Sequence, residues 1–337
     1  MIKELIGKLV EKRNLSEEET INAMEEIMSG KATPGQIGSF ITALRMKGET
    51  VEEITGAAKV MREKATTLDL EEEIIVDTCG TGGDSSGTFN VSTVVALIAA
   101  GGELLVAKHG NRSVSSKCGS ADVMEALGLN LEIPPEKAAE CIRKVGIGFL
   151  YAPLFHSAMK YATPVRREIG IRTIFNVLGP LTNPAQANVQ LLGVYKPELT
   201  ELIANVLKNL GVRSAFVVYG EGNFDEITIT GRTRISQLKR GEVKTYYIQP
   251  EDFGLKSGNS EEIKGGTVEK NSQIILDILK GKKGTKRDMV LLNAAGVFVA
   301  AEKAGNIAEG IKVAEEIIDS GKALKKLEAL VKFSRKA

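Results

Sequence analysis

Apolar positions along the chain follow two different periods, and one gives way to the other near residue 70. Before that point Ile2, Leu5, Ile6, Leu9 and Val10 recur at three- and four-residue spacing, the stripe of an amphipathic helix. Ser16 with Glu19 forms an S-x-x-E start signal, and Gly30 stands where that helix should stop. Thr33, Pro34 and Gln36 supply a cap, a first-turn proline and a reciprocal partner. Gly48 closes that element, and Thr50 with Glu53 opens the next. Residues 1–70 therefore read as a small helical unit whose stripes must face a core, a second domain or another subunit.

From "EIIVDT" onward, short β-branched runs alternate with helical ones. "IIVD", "ELLVAK", "IGFLYA", "VQLLGVY", "SAFVVYG" and "EITIT" read as strands. "STVVALIAAGG", "SADVMEALG", "PPEKAAECIRKVG" and "PELTELIANVLKNLG" read as helices between them. This alternation predicts an α/β unit over 71–337, a mostly parallel central sheet flanked by helices. "TRISQL" and "VKTYYIQ", joined by "KRGE", predict a hairpin. The tail from Asn271 is helical in pattern. No internal repeat or low-complexity linker interrupts the chain.

Composition narrows the function classes. Of 337 residues, 44 are basic and 43 acidic, a net charge of +1 with no block of one sign. A broad nucleic-acid or membrane surface is not expected from that balance. Cys79, Cys118 and Cys141 form no CxxC pair, and two histidines make a zinc site improbable. The charged, amphipathic start is unlike a signal peptide, and no apolar run is long enough to cross a bilayer. A reducing cytoplasm is the expected location.

Four stretches carry candidate chemistry. "DTCGTGGDSSGTFNVST", Asp77 to Thr93, puts four glycines and seven hydroxyl residues between a predicted strand and a predicted helix. Open α/β sheets bind ligands at the carboxyl ends of strands, and bare backbone amides near a helix N-terminus make an anion nest. The spacing is neither G-x-G-x-x-G nor a Walker loop. Asp84 inside the nest would repel phosphate, so it suits ribose hydroxyls or a cation. "AKHGNRSVSSKCGSADV" follows the next strand and sets Lys108, Arg112 and Lys117 among small hydrogen-bond donors. Two such loops in succession suit a ligand with more than one phosphate. In "GNFDEITIT", Asp225 and Glu226 stand at the start of a predicted strand, where both can reach one Mg²⁺ beside substrate phosphate. "HSAMKYATPVRREIGIRTIFNVLGPLTNP" carries His156, Arg166, Arg167 and Arg172; an arginine over a cleft can grip a carboxylate through two parallel bonds.

Together these stretches resemble the anthranilate phosphoribosyltransferase family. The resemblance rests on "GTGGD" (Gly80 to Asp84), "TFNVST" (Thr88 to Thr93), "KHGNRSVSS" (Lys108 to Ser116), "PVRREIGIRTIFNVLGPLTNP" (Pro164 to Pro184) and "DEI" (Asp225 to Ile227), in order over nearly the whole chain. It implies a helical domain over 1–70, joined by a helical segment around 160–185, and a homodimer formed through the helical domains. It implies transfer of phosphoribose from 5-phosphoribosyl 1-diphosphate to the amine of anthranilate, with Mg²⁺. Carried over by position, the donor site is Gly80, Gly83, Asp84, Thr88, Asn90, Val91, Ser92, Thr93, Lys108, His109, Gly110, Asn111, Arg112, Ser113, Val114, Ser115, Ser116 and Ser120. Mg²⁺ falls to Ser92, Asp225 and Glu226. Anthranilate falls to Gly80, Asn111 and Arg166, with His109 and His156 close by; Lys108, His109 and Arg166 are the candidate catalytic groups.

Pyrimidine nucleoside phosphorylases share the expected architecture but carry a K-x-S-T-G-G phosphate loop, where this chain has Thr78 and Gly80. A non-catalytic nucleic-acid binder on this fold should show a basic groove and lost metal carboxylates; the net charge and the Asp225–Glu226 pair count against it.

Overall fold

The computed structural model describes residues 1–70, 73–83, 87–113 and 118–337. The chain opens with four helices, α1 (Ile2–Val10), α2 (Glu17–Met28), α3 (Pro34–Lys47) and α4 (Val51–Lys64). The α/β part runs β1 (Ile75–Gly80), α5 (Val91–Gly101), β2 (Leu105–Gly110), α6 (Ser120–Ala126), α7 (Pro135–Val145), β3 (Ile147–Tyr151). An insertion follows, α8 (Ala152–Phe155), α9 (Thr163–Ile169) and α10 (Phe175–Leu181). The chain then returns to the sheet with β4 (Val189–Gly193), α11 (Leu199–Asn209), β5 (Ser214–Gly220), β6 (Thr233–Lys239) and β7 (Glu242–Ile248). It ends with α12 (Val268–Leu279), α13 (Thr285–Ala300), α14 (Ile307–Asp319) and α15 (Lys322–Ser334).

Among the described residues the sheet has seven strands in the order β3-β2-β1-β4-β5-β6-β7. Strands β1 to β5 are parallel to their neighbours, and β6 and β7 add an antiparallel edge. Arg240 and Gly241, both at positive φ, turn the hairpin in the hand its strands require. The order reverses between β1 and β4, which places a ligand crevice at their carboxyl ends.

Strand alternation sends side chains into three clusters, the smallest around Ile75, Ala107 and Leu150. Val76, Val106, Leu191, Phe216 and Val218 pack under α5 and the C-terminal helices. Leu192, Val194, Ala215 and Val217 face the opposite way, against α11 and a cluster continuous with α1–α4, α9 and α10. The insertion thus packs with the N-terminal helices, far from it in sequence; α9 lies on α3 and α10 on α4.

The expected capping boxes form at Ser16, Thr33 and Thr50. The third does more than cap. Glu53 is fully buried, accepts from Thr50 N (2.9 Å) and Leu15 N (2.8 Å), and pairs with the buried ammonium of Lys47 at 2.9 Å. It therefore ties the start of α4 to the loop between α1 and α2.

One predicted strand does not form. "EITIT" follows Asp225 as irregular backbone. Side chains take its hydrogen bonds instead: Asn293 on α13 accepts from Ile227 N (2.9 Å) and donates to Ile227 O (2.8 Å), and Thr233 Oγ1 accepts from Thr228 N (3.0 Å). Alternating apolar residues fit this path because Ile227 and Ile229 are both buried in the core beneath it.

Replacing Glu53 with Ala strands a buried ammonium and two buried amides, and should lower the urea-unfolding free energy by about 3–5 kcal/mol. A loss below about 1 kcal/mol would contradict this role.

Candidate active site

The carboxyl ends of β1, β2 and β4 lie side by side, and the residues there are polar although the strands are buried. Asp77 on β1 is fully buried. Its Oδ1 accepts from the backbone N–H of His109 (3.2 Å), and its Oδ2 from Asn183 Nδ2 (2.8 Å), which also donates to Ala107 O (2.8 Å). Lys108 on β2 is 3% exposed, and its ammonium donates to Thr78 O (2.7 Å) and Ser92 Oγ (3.3 Å). Burial pushes the Asp77 carboxyl up and the Lys108 ammonium down, and each opposes the other's shift through its charge. Lys108 thus sits beneath the N-terminus of α5, a helix whose first turn has no side-chain cap.

The glycine-rich loop turns over the β1–β4 boundary. A Cβ at Gly80 would collide with the Asp225 carboxylate, and one at Gly193, its partner on β4, with the Asp225 backbone. Close approach of the 225 segment is therefore possible only because both strands end in glycine. Asp225 Oδ2 accepts from Gly82 N (2.9 Å), and Glu226 accepts from Thr88 Oγ1 (3.3 Å). The two carboxylates thus reach the loop from a bend rather than from a strand. Within the described residues no group of three His, Cys, Asp or Glu side chains forms a metal cluster.

The second loop folds back on α6. Asp122 accepts from Ser113 N (3.1 Å) and Gly119 N (2.8 Å), and Ser120 Oγ lies 3.5 Å from Asn111 O. Arg112 forks onto Glu125 (2.8 and 2.9 Å) and reaches Asp122 (3.1 Å), so here it braces the loop. Val91 and Thr93 are about 1% exposed, which leaves mainly their backbone to a ligand. Asn90 is tied to Asn271 (3.1 Å). Asp84, Val114, Ser115 and Ser116, expected at the donor site, lie outside the described residues, as does Lys117.

On the far side of Lys108 the two histidines meet. His109 Nε2 and His156 Nε2 are 3.2 Å apart, so one ring donates and the other accepts. Burial, reinforced by the neighbouring ring, depresses His109 to about 3; burial depresses His156 to about 4. Both are neutral at pH 7. Arg166 on α9 stacks its guanidinium 5.1 Å from the Phe175 ring centroid, and burial lowers its basicity.

Comparisons with known proteins cover both parts of the chain. A model of the glycosyl transferase family a/b domain matches residues 72–324, and one of that family's helical bundle domain matches 3–65. The anthranilate phosphoribosyltransferase of Acetivibrio thermocellus is 57% identical over 334 residues, 99% of this chain and 97% of that protein. The chain belongs to the anthranilate phosphoribosyltransferase family. The crystal structure of the Thermus thermophilus anthranilate phosphoribosyltransferase superposes with a TM-score of 0.93 at 43% identity, covering 98% of this chain and 99% of that one. The Saccharomyces cerevisiae enzyme in complex with PRPP and Mg gives 0.90 at 30%, covering 100% and 98%.

Anthranilate phosphoribosyltransferase motifs explain the loops but not their supports. Asp77, Asn183 and Asn293 were given no role from the sequence, yet they hold the backbone at His109, Ala107 and Ile227. An aspartate inside the apolar run "IIVD" and an asparagine in "LTNP" are the signals that were there to read.

The histidine pair makes stability depend on pH. Both folded-state pKa values lie below the unfolded value near 6.5, so the unfolded chain binds more protons between about pH 3 and 6.5 and stability falls as pH falls through that window. Between pH 7 and 5 the loss should reach up to about 2 kcal/mol per ring. Urea unfolding of wild type and of the His109→Gln/His156→Gln double variant should show a smaller fall for the variant; equal falls would contradict the assignment.

Proposed function

We propose that this chain transfers the 5-phosphoribosyl group from 5-phosphoribosyl 1-diphosphate to the amine of anthranilate, giving N-(5-phosphoribosyl)anthranilate and diphosphate, in tryptophan biosynthesis. The supporting observation is the meeting of the glycine-rich loop with Asp225 and Glu226 at the carboxyl ends of β1 and β4, above the buried Lys108. That arrangement suits a diphosphate, whose oxygens need both N–H donors and positive charge. Family relatives bearing this name match the chain from end to end.

The departing diphosphate gains charge as the bond to the ribose carbon stretches, and the sugar becomes oxocarbenium-like. Lys108 and the backbone amides around Gly80 to Gly83 would stabilise that charge from fixed positions. Asp225, Glu226 and Ser92 offer hard oxygen donors that fit Mg²⁺, as in the yeast relative solved with PRPP and Mg. Bound there, the cation would neutralise charge on the diphosphate.

The acceptor is a weakly basic aromatic amine and needs placement more than deprotonation. Positioning alone can contribute on the order of 7 kcal/mol. Arg166 would grip the acceptor carboxylate, with Gly80 and Asn111 bounding its pocket. His109 and His156, both neutral, would offer one polar edge without adding a competing charge. A yeast relative has been solved with 4-fluoroanthranilate, an acceptor analogue that keeps this carboxylate. The 160–185 insertion would complete the helical domain begun by residues 1–70, and two such domains would form a homodimer in the cytoplasm, with no nucleic-acid or membrane partner.

Loss of anthranilate fluorescence in the presence of the donor and Mg²⁺ tests the reaction. Arg166→Ala should raise the anthranilate KM by tenfold or more while the donor KM changes little. Equal effects on both substrates would reject the role given to Arg166.

A further inference from the structure

Arg172 stands in the connection between α9 and α10; it belongs to the fourth candidate stretch but to none of the donor, metal or acceptor residue sets above. Its backbone is fixed, because the next residue, Thr173, donates its N–H to Asn176 Oδ1 at 2.9 Å. Its guanidinium lies against the ring of Tyr195, which follows β4 and is 6% exposed, with Cζ 4.3 Å from the ring centroid. The same guanidinium touches the glycine-rich loop. A Cβ at Gly83, whose φ is +67°, would lie 3.1 Å from Arg172 Nη2 and 3.6 Å from its Cζ and Nε.

Among the described residues no hydrogen bond or ion pair engages this side chain. The contrast with Arg112 and Arg287 is direct, since both are forked onto carboxylates. An arginine held by an aromatic ring, resting on an anion loop and lacking an acidic partner among the described residues, presents its donors pre-oriented for an anionic oxygen. The contact is at Gly83, on the loop, whereas Arg166 is stacked on Phe175 in the acceptor region. We propose that Arg172 is a further substrate-binding residue, reaching from the helical insertion to hydrogen-bond a phosphate oxygen of the phosphoribosyl donor held by the glycine-rich loop. This rests on the reaction proposed above. Tyr195 is then a positioning residue, since it acts only by supporting the guanidinium.

The test has two readouts. Binding of inorganic diphosphate with Mg²⁺ is measured by calorimetry, and the KM of each substrate by steady-state kinetics, for wild type, Arg172→Gln and Arg172→Lys. Wild type must bind diphosphate and turn over; if it does neither, the proposed reaction itself fails. Given that, Arg172→Gln should weaken diphosphate binding and raise the donor KM by about tenfold or more, with the anthranilate KM within about twofold. Arg172→Lys keeps the charge without the planar fork and should lose less, about two- to fivefold; it also serves if the Gln variant does not fold. Unchanged diphosphate affinity in both variants, or a rise confined to the anthranilate KM, would overturn the proposal.

Discussion

Two groups buried on neighbouring strands beneath the loops, Asp77 on β1 and Lys108 on β2, are the constraint on which the site depends. A carboxyl group and an ammonium placed inside a sheet are costly unless each finds its own hydrogen bonds. Here they do. Asp77 is bonded on both oxygens, and Lys108 is bonded to Thr78 O and Ser92 Oγ. The ammonium is thereby fixed between Thr78 O and Ser92 Oγ in the first turn of α5. Because Asn183 belongs to the segment after α10, the same network ties the insertion to the sheet.

A second constraint is steric. The order of strands reverses at β1 and β4, and both end in glycines that let the 225 segment lie across them. The carboxylates of Asp225 and Glu226 then meet the loop through Gly82 N and Thr88 Oγ1. Asn293 holds the segment from below. Loop amides and two carboxylates thus meet at the carboxyl ends of β1 and β4, a layout suited to a diphosphate accompanied by a divalent cation. Arg172 adds a third boundary from the helical side.

Much of this was legible in the sequence. The helical start was carried by caps that the folded chain uses as expected, and the α/β alternation by β-branched runs that became β1 to β5. What could not be read was set by tertiary contacts. "EITIT" has the alternation of a strand, but Asn293, 66 residues on, takes its backbone bonds. The 160–185 segment reads as helical, but only packing shows it on α3 and α4. Asp77 looked like the end of a strand, and its partners Asn183 and the His109 amide are remote in sequence. Arg166 and Arg172 looked alike as sequence; their neighbours, Phe175 for one and Tyr195 with Gly83 for the other, separate them.

The central claim is spatial: one ligand bridges the loops that follow β1 and β2. The most direct measurement is a crystal structure of this protein grown or soaked with 5-phosphoribosyl 1-diphosphate and Mg²⁺. The account predicts diphosphate density between Gly82 and Asn111, above Lys108, with the cation at Asp225 and Glu226. Density for the ligand anywhere else, or a crevice left empty at saturating concentration, would contradict it.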